Sequence, residues 1–167
     1  LPAASRGYTT FGCFNYPAKI SLEVISLWAE ILQQVPDSQL LLKYAGLDSR
    51  GARTYFSEKF ASLGVREERI VLEGASPHAQ LLNRYNSVDV ALDTLPYSGG
   101  LTTCEALWMG VPVVTLPGST FAGRHSYSHV SNAGCGEFTA DSPQEYIEQA
   151  VRLASDVSRL AELRQHL

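Results

Sequence analysis

The chain has 167 residues, 45% hydrophobic and 18% charged, with 13 Lys+Arg against 17 Asp+Glu and a formal net charge of -4. That length suits one domain with a real core. The acidic balance, without any basic block, argues against duplex nucleic acid as a partner, because affinity for a phosphate backbone needs clustered Lys and Arg. Cys13, Cys104 and Cys135 are odd in number and form no C-x-x-C pair. A disulfide framework and a zinc site are therefore not expected, and a reducing, cytoplasmic setting is. No apolar stretch reaches the roughly 18–20 residues of a membrane span, so no membrane partner is expected. The opening LPAASRGYTT has no initiating Met and no charged and apolar regions of a signal peptide, so the chain is expected to be a piece of a longer protein.

In chain order, the aromatic and β-branched run 8–15 (YTTFGCFN) predicts a strand, which Asn15-Tyr16-Pro17 ends. Residues 21–35 place Leu22, Ile25, Leu27, Trp28, Ile31 and Leu32 at helical spacing with one wide apolar face. A turn at Pro36-Asp37-Ser38 precedes a second strand over 39–46. A helix over 52–63 follows, with Gly64 as its C-cap, and then a third strand over 69–74. Ser76 as N-cap and Pro77 at the first helical position predict a helix to about Ser87. Residues 89–93 read as the fourth strand, 102–109 as a helix stopped by Gly110, and 111–116 as the fifth strand. A helix over 121–132, a short last strand over 137–139 and one final helix from Pro143 complete the pattern. The last helix opens on the capping box Ser142-Pro143-Gln144-Glu145.

Strands and helices alternate throughout, and the strands at VALD and VVTL are apolar on both faces, as in a parallel sheet covered on each side. The expected fold is α/β, a doubly wound Rossmann-like parallel sheet of about five or six strands, with ligands beyond the carboxyl ends of the strands.

The most informative stretch is VDVALDTLPYSGGLTTCEALWMGVPVVTLPG, which starts at Val88 and ends at Gly118. A buried strand, a glycine turn and a helix N-terminus in succession expose backbone N–H groups suited to phosphate. Gly99 and Gly100 allow close backbone approach and positive φ, and Thr102 and Thr103 add hydroxyl donors. A glycine pair also serves an ordinary strand–helix turn. Glu105 completes T-x-x-E with Thr102, so it either closes a capping box or accepts ribose hydroxyls, as an acidic side chain does in dinucleotide folds. Lys19, after the first strand, can neutralise a leaving diphosphate or stand solvated. Tyr16 can pack on a ligand or on the domain. His78 and Arg84 lie on the rim of the same sheet end, where the alternative to ligand contact is a surface residue or a helix-pairing charge. His125 and His129 have metal-pair spacing but lack the acidic residue and third ligand of a zinc motif, so no metal is expected. The P-loop pattern is absent, as are a Ser/His/Asp triad and a nucleophile elbow. G-x-G-x-x-G does not follow the first strand, so an NAD-type site is not expected either.

Four segments together resemble the C-terminal catalytic lobe of the O-GlcNAc transferase family, including its bacterial TPR-containing and O-fucosyltransferase-like relatives. They are FNYPAKI, the glycine-turn stretch, GRHSYSHVSNAGC and QEYIEQAVRLASD. The resemblance covers nearly the whole chain. It implies one nucleotide-sugar-binding lobe, residues 1–167, of a two-lobed GT-B glycosyltransferase. Such an enzyme moves a sugar from a nucleotide diphosphate sugar, typically UDP-GlcNAc, to a protein Ser or Thr hydroxyl, with inversion and without metal or cofactor. Its implied partners are the protein acceptor and the N-terminal catalytic lobe and TPR array of the full-length protein, without which this lobe is expected to transfer nothing.

By the same resemblance Lys19 matches the lysine on the β-phosphate. Tyr16 stands at a family Gln. Ser76 and His78 border the base, His78 in place of a Lys. Arg84 matches a pocket Arg, Thr102 a diphosphate-binding Thr, and Glu105 the Asp that holds the ribose. Gly100, Leu101 and Leu81 depart from the family, standing where a His, a Thr and a His are found. The loss of these donors also fits a non-catalytic lobe kept as a scaffold or interaction module.

Overall fold

The computed structural model describes all 167 residues. Five strands form one parallel sheet: β1 (Thr9–Cys13), β2 (Ser38–Lys43), β3 (Ile70–Glu73), β4 (Val90–Leu92) and β5 (Val113–Val114), in the spatial order β3-β2-β1-β4-β5. The order reverses at β1, which pairs with β2 through Phe11↔Leu40 and with β4 through Phe11↔Val90. The doubly wound expectation therefore holds, with the switch point beyond the carboxyl ends of β1 and β4.

Eight helices accompany the sheet: α1 (Pro2–Arg6), α2 (Leu22–Gln34), α3 (Arg50–Ser62), α4 (His78–Arg84), α5 (Leu101–Trp108), α6 (His125–Asn132), α7 (Pro143–Ser155) and α8 (Val157–His166). With right-handed crossovers, α2 and α3 cover one face and α4 and α5 the other. Phe11, Leu40, Leu41, Leu42 and Val90 carry the sheet's share of the core, completely buried. Trp28 of α2 and Tyr146 of α7 are equally buried, and both are polar only at one atom. Trp28 Nε1 donates to the Tyr146 hydroxyl at 3.0 Å, which donates to the Asp93 carbonyl at 2.8 Å. This chain of bonds satisfies three buried groups and ties two helices to the end of β4. No helix is long and apolar enough to cross a membrane.

Local capping explains most boundaries. Ser21, Ser49 and Ser142 each accept an N–H from the first turn of the helix they precede, and Gly64 ends the α3 segment at φ +78°. Three expectations need correction, and one element is new. Ser76 does not cap α4: Pro77 takes that position, without a side-chain bond. Residues 137–139 form no full strand, because Gly136–Phe138 is a 3₁₀ turn and only Thr139 bridges to Thr115. The last helix is two helices, since Asp156 ends α7 and its side chain accepts the Arg159 N–H to start α8. The N-terminal helix α1 was not expected at all. Its backbone N–H at Ala3 is held by the buried Asp89 carboxylate at 2.9 Å.

Candidate functional site

The carboxyl ends of β1 and β4 deliver two loops side by side. After β1 come Asn15, Tyr16 and a 3₁₀ turn over Pro17–Lys19. After β4 come Asp93 and the glycine loop that leads into α5.

Asp93 organises the junction. Its side chain is almost fully buried. One oxygen accepts the Gly99 N–H at 2.7 Å and the Asn15 amide at 3.4 Å, and the other accepts the Thr115 hydroxyl at 2.7 Å. Burial pushes its carboxyl above the ordinary range, with these hydrogen bonds pulling the other way. Asn15 in turn accepts the Thr102 hydroxyl at 2.6 Å.

The loop holds its shape through a second set of bonds to α6. Ser98 Oγ accepts the His125 and Ser126 N–H groups at 3.0 and 3.3 Å, so the loop caps the next helix. Ser126 Oγ donates to the Gly99 carbonyl at 3.0 Å and lies 2.7 Å from Thr103 Oγ1.

What remains open is the α5 N-terminus itself. The N–H groups of Gly100, Leu101 and Thr102 have no protein acceptor. They are three consecutive donors at the positive end of a helix dipole, the chemistry of an anion cradle. The half-buried Lys19 stands over the same loop. Its ammonium donates to the Ser98 carbonyl at 2.9 Å and sits 3.8 Å from the Tyr97 ring centroid. Burial lowers its pKa from the ordinary lysine value, while the negative charge of Asp93 works to raise it.

The glycines act differently from the expectation, since neither Gly99 nor Gly100 has positive φ. Gly99 is required sterically, because a Cβ there would lie 2.5 Å from Thr103 Oγ1 and 3.0 Å from Thr102 Oγ1. Gly100 has open space on its Cβ side, and the first atom met is His125 Nδ1 at 4.0 Å. An imidazole thus borders the cradle from α6, a placement that its spacing from His129 does not reveal.

Other anticipated residues are differently engaged. Glu105 closes no capping box. Gly100 is the N-cap, and the Glu105 carboxylate lies 2.8 Å from His78 Nε2. The Glu105 side chain is nearly buried and His78 largely exposed, so the imidazole covers the carboxylate from the solvent side. Thr103 faces inward to Ser126, away from the cradle. Arg84 forks onto Glu73, with Nε at 2.9 Å and Nη2 at 2.6 Å from Oε1, which leaves Nη1 without a protein partner. Glu73 also meets Lys43 at 3.4 Å. Burial works to raise the Glu73 carboxyl, but Arg84, with Lys43, outweighs it and holds the group below the ordinary range. Ser76 Oγ is buried with no partner. Tyr16 is half exposed and leans on Tyr44 at 5.3 Å, on the β2 side of the rim. Leu101 is 72% exposed beside the free N–H groups.

The structure therefore brings Lys19, Gly99, Gly100, Leu101 and Thr102 to one cradle and Glu105 and His78 to its edge. It turns Thr103 inward, commits much of Arg84 to Glu73 and sets Tyr16 to one side. Asn15, Asp93, Tyr97 and Ser98 fall in the strand-end segments 15–19 and 93–103 where the sequence expects a ligand, without being singled out there; His125 enters the sequence reading only as half of a metal-spaced pair, and Ser126 not at all. Among them Asp93 carries the clearest local signal, a lone carboxylate ending the apolar run VAL.

The model of Glycosyl transferase family 41 matches residues 6–167. The chain is 40% identical over 167 residues to the probable UDP-N-acetylglucosamine–peptide N-acetylglucosaminyltransferase SPINDLY of Solanum lycopersicum, covering 99% of this chain and 18% of that protein. The chain thus spans less than a fifth of such relatives. Among solved structures it matches a mutant of the Thermobaculum terrenum O-GlcNAc transferase at 45% identity and TM-score 0.93, over 96% of this chain and 31% of that one. The C-terminal domain of the Francisella tularensis glycosyl transferase group 1 protein LpcC shares the fold, at 16% identity and TM-score 0.68, over 98% of this chain and 85% of that one. The chain belongs to glycosyltransferase family 41 and is a Rossmann-like lobe of its GT-B architecture.

Proposed function

We propose that this chain is the C-terminal nucleotide-sugar-binding lobe of a longer, cytoplasmic protein O-glycosyltransferase that acts by an inverting, metal-independent mechanism. The observation that carries the reading is the set of three unpartnered N–H groups at Gly100, Leu101 and Thr102 with the Lys19 ammonium beside them. In the reaction a Ser or Thr hydroxyl oxygen of the acceptor protein bonds to the sugar C1 from the face opposite the diphosphate. The C1–O bond breaks, and its electron pair leaves on the β-phosphate. The hydroxyl proton passes to a base outside this lobe, in the N-terminal lobe or the TPR array. Charge appears where the cradle points, and preorganised donors aimed at developing charge contribute on the order of 3 kcal/mol each. Glu105 would take the ribose hydroxyls, with Ser76, His78 and Arg84 bordering the base. The relatives, UDP-N-acetylglucosamine–peptide transferases, support UDP-GlcNAc as the first donor to try, and GDP-fucose is the second.

The test is donor turnover by the full-length protein with each nucleotide sugar in turn, in the presence of EDTA, with the product anomer read by NMR and the modified residue by mass spectrometry. Lys19→Met is expected to lower kcat at least tenfold. Unchanged turnover would remove the leaving-group role.

A second reading is a non-catalytic lobe that serves as a scaffold. It is favoured by Leu101 in the cradle and by the His78–Glu105 contact that occupies the ribose carboxylate. A full-length protein that shows no response to saturating UDP or GDP would support it.

A further inference from the structure

We infer that Tyr97 is a positioning residue for Lys19, acting through its ring face and not through its hydroxyl. The inference rests on the reading of Lys19 as the cation at the leaving diphosphate.

A lysine on a four-carbon stem carries about 2 kcal/mol of rotamer entropy. An ammonium left free would be spread over many positions, and only a few of them face the cradle. Here Lys19 belongs to the β1–α2 loop, and both groups that hold its head belong to the β4–α5 loop. The Ser98 carbonyl accepts one N–H at 2.9 Å, and the Tyr97 ring lies under the nitrogen at 3.8 Å. A π-face attracts the whole cation and takes no hydrogen-bond donor in the strict sense. The remaining N–H directions stay available to a phosphate oxygen. A carboxylate in the same place would hold the ammonium more firmly but would compete with the anion it is meant to receive.

Tyr97 has no other visible task. The residue is 52% exposed and absent from the core, and its hydroxyl has no partner in the protein, although its carbonyl accepts the Thr94 hydroxyl at 2.8 Å and so fixes the turn that carries it. An exposed aromatic ring on a short loop, placed against the one lysine of the site, is accounted for by that contact. The loop that supplies the backbone cradle thereby also sets the distance of the cation from it.

The experiment uses the full-length protein, UDP as the probe and calorimetric titration, with the variants Tyr97→Phe, Tyr97→Leu, Lys19→Met and the double variant Y97L/K19M. Because Tyr97 is half exposed, none of its replacements threatens folding. Tyr97→Leu is expected to weaken UDP binding about twofold to fivefold, the range of an exposed cation–π contact. Tyr97→Phe is expected to bind as the wild type does. In the Lys19→Met background, Tyr97→Leu is expected to cause no further loss, as a residue acting through Lys19 must. The inference is overturned if Tyr97→Leu binds normally while Lys19→Met does not, if Tyr97→Phe is as weak as Tyr97→Leu, or if the two losses multiply. Lys19→Met binding UDP as well as wild type would instead remove the phosphate role of Lys19 itself.

Discussion

Asp93 Oδ1 accepts the Gly99 N–H at 2.7 Å, six residues along its own chain, and so folds the glycine loop back onto the strand it leaves. Gly99 can come that close because it has no side chain. Its Cβ would strike the hydroxyls of Thr103 and Thr102. With Gly99 N–H committed to Asp93, the next three N–H groups are turned outward, and the cradle consists of what this bond leaves free.

Replacement of Asp93 tests that arrangement. Asp93→Ala strands the Gly99 N–H, the Thr115 hydroxyl and part of the Asn15 amide, and is expected to cost about 3 kcal/mol. Asp93→Asn keeps one acceptor and is expected to cost about 1 kcal/mol. The pH dependence has a definite sign. The folded carboxyl titrates above its unfolded value of 3.8, so the stability that Asp93 itself contributes is fully present below that value and is lost as pH rises through the folded pKa. The Asp93→Asn deficit in urea unfolding should therefore shrink with rising pH. A deficit that grows would contradict it.

Glu73 has the opposite sign. Its folded pKa lies below the ordinary value of 4.5 because Arg84 and Lys43 favour the charged form over the cost of burial. Its contribution is present above 4.5 and is lost as pH falls through the folded pKa. Glu73→Gln is expected to lower stability by about 1 kcal/mol at neutral pH, given that the pair is partly exposed. Thermal melts should show wild type and variant converging in acid.

Ser76 offers a clean separation of binding from folding. Its hydroxyl oxygen is buried and unpartnered, so Ser76→Ala loses no internal bond and should leave stability within about 0.5 kcal/mol. If the oxygen serves a bound nucleotide, UDP affinity should fall about threefold to tenfold. Equal binding with equal stability would place Ser76 outside the site.

Leu101 points into solvent beside a free N–H. Leu101→Thr replaces exposed apolar surface with a hydroxyl at the cradle, and UDP is expected to bind about threefold more tightly, a gain on the order of 0.6 kcal/mol. Titration of the full-length protein decides it, and weaker binding would mean that the side chain at 101 does not face the phosphates.

The alternation of doubly apolar strands with amphipathic helices, and the Ser and Gly caps, were legible along the chain because they are properties of neighbouring residues. So was the glycine turn ahead of α5, and the motif likeness proposes Lys19, Arg84, Thr102 and Glu105 for one nucleotide-sugar site. Capping was overread at two places. Ser76 and the T-x-x-E of Thr102 and Glu105 have the local pattern, yet Thr102 bonds to Asn15 and Glu105 to His78, each on a different element. The break at Asp156 was visible in principle as an acidic N-cap inside a helical run.

Local order along this chain is thus set by periodicity and capping, interactions that span four residues or fewer. The site is set by pairs separated by tens of residues: Asn15 with Asp93 and Thr102, Lys19 with Tyr97 and Ser98, and Gly100 with His125. Those pairs exist because β1 and β4 are neighbours at the point where the sheet reverses direction, and α6 is docked on the loop by Ser98. Which donors are spent inside the protein and which remain for a ligand depends on these long-range contacts, and no spacing rule along the chain contains them.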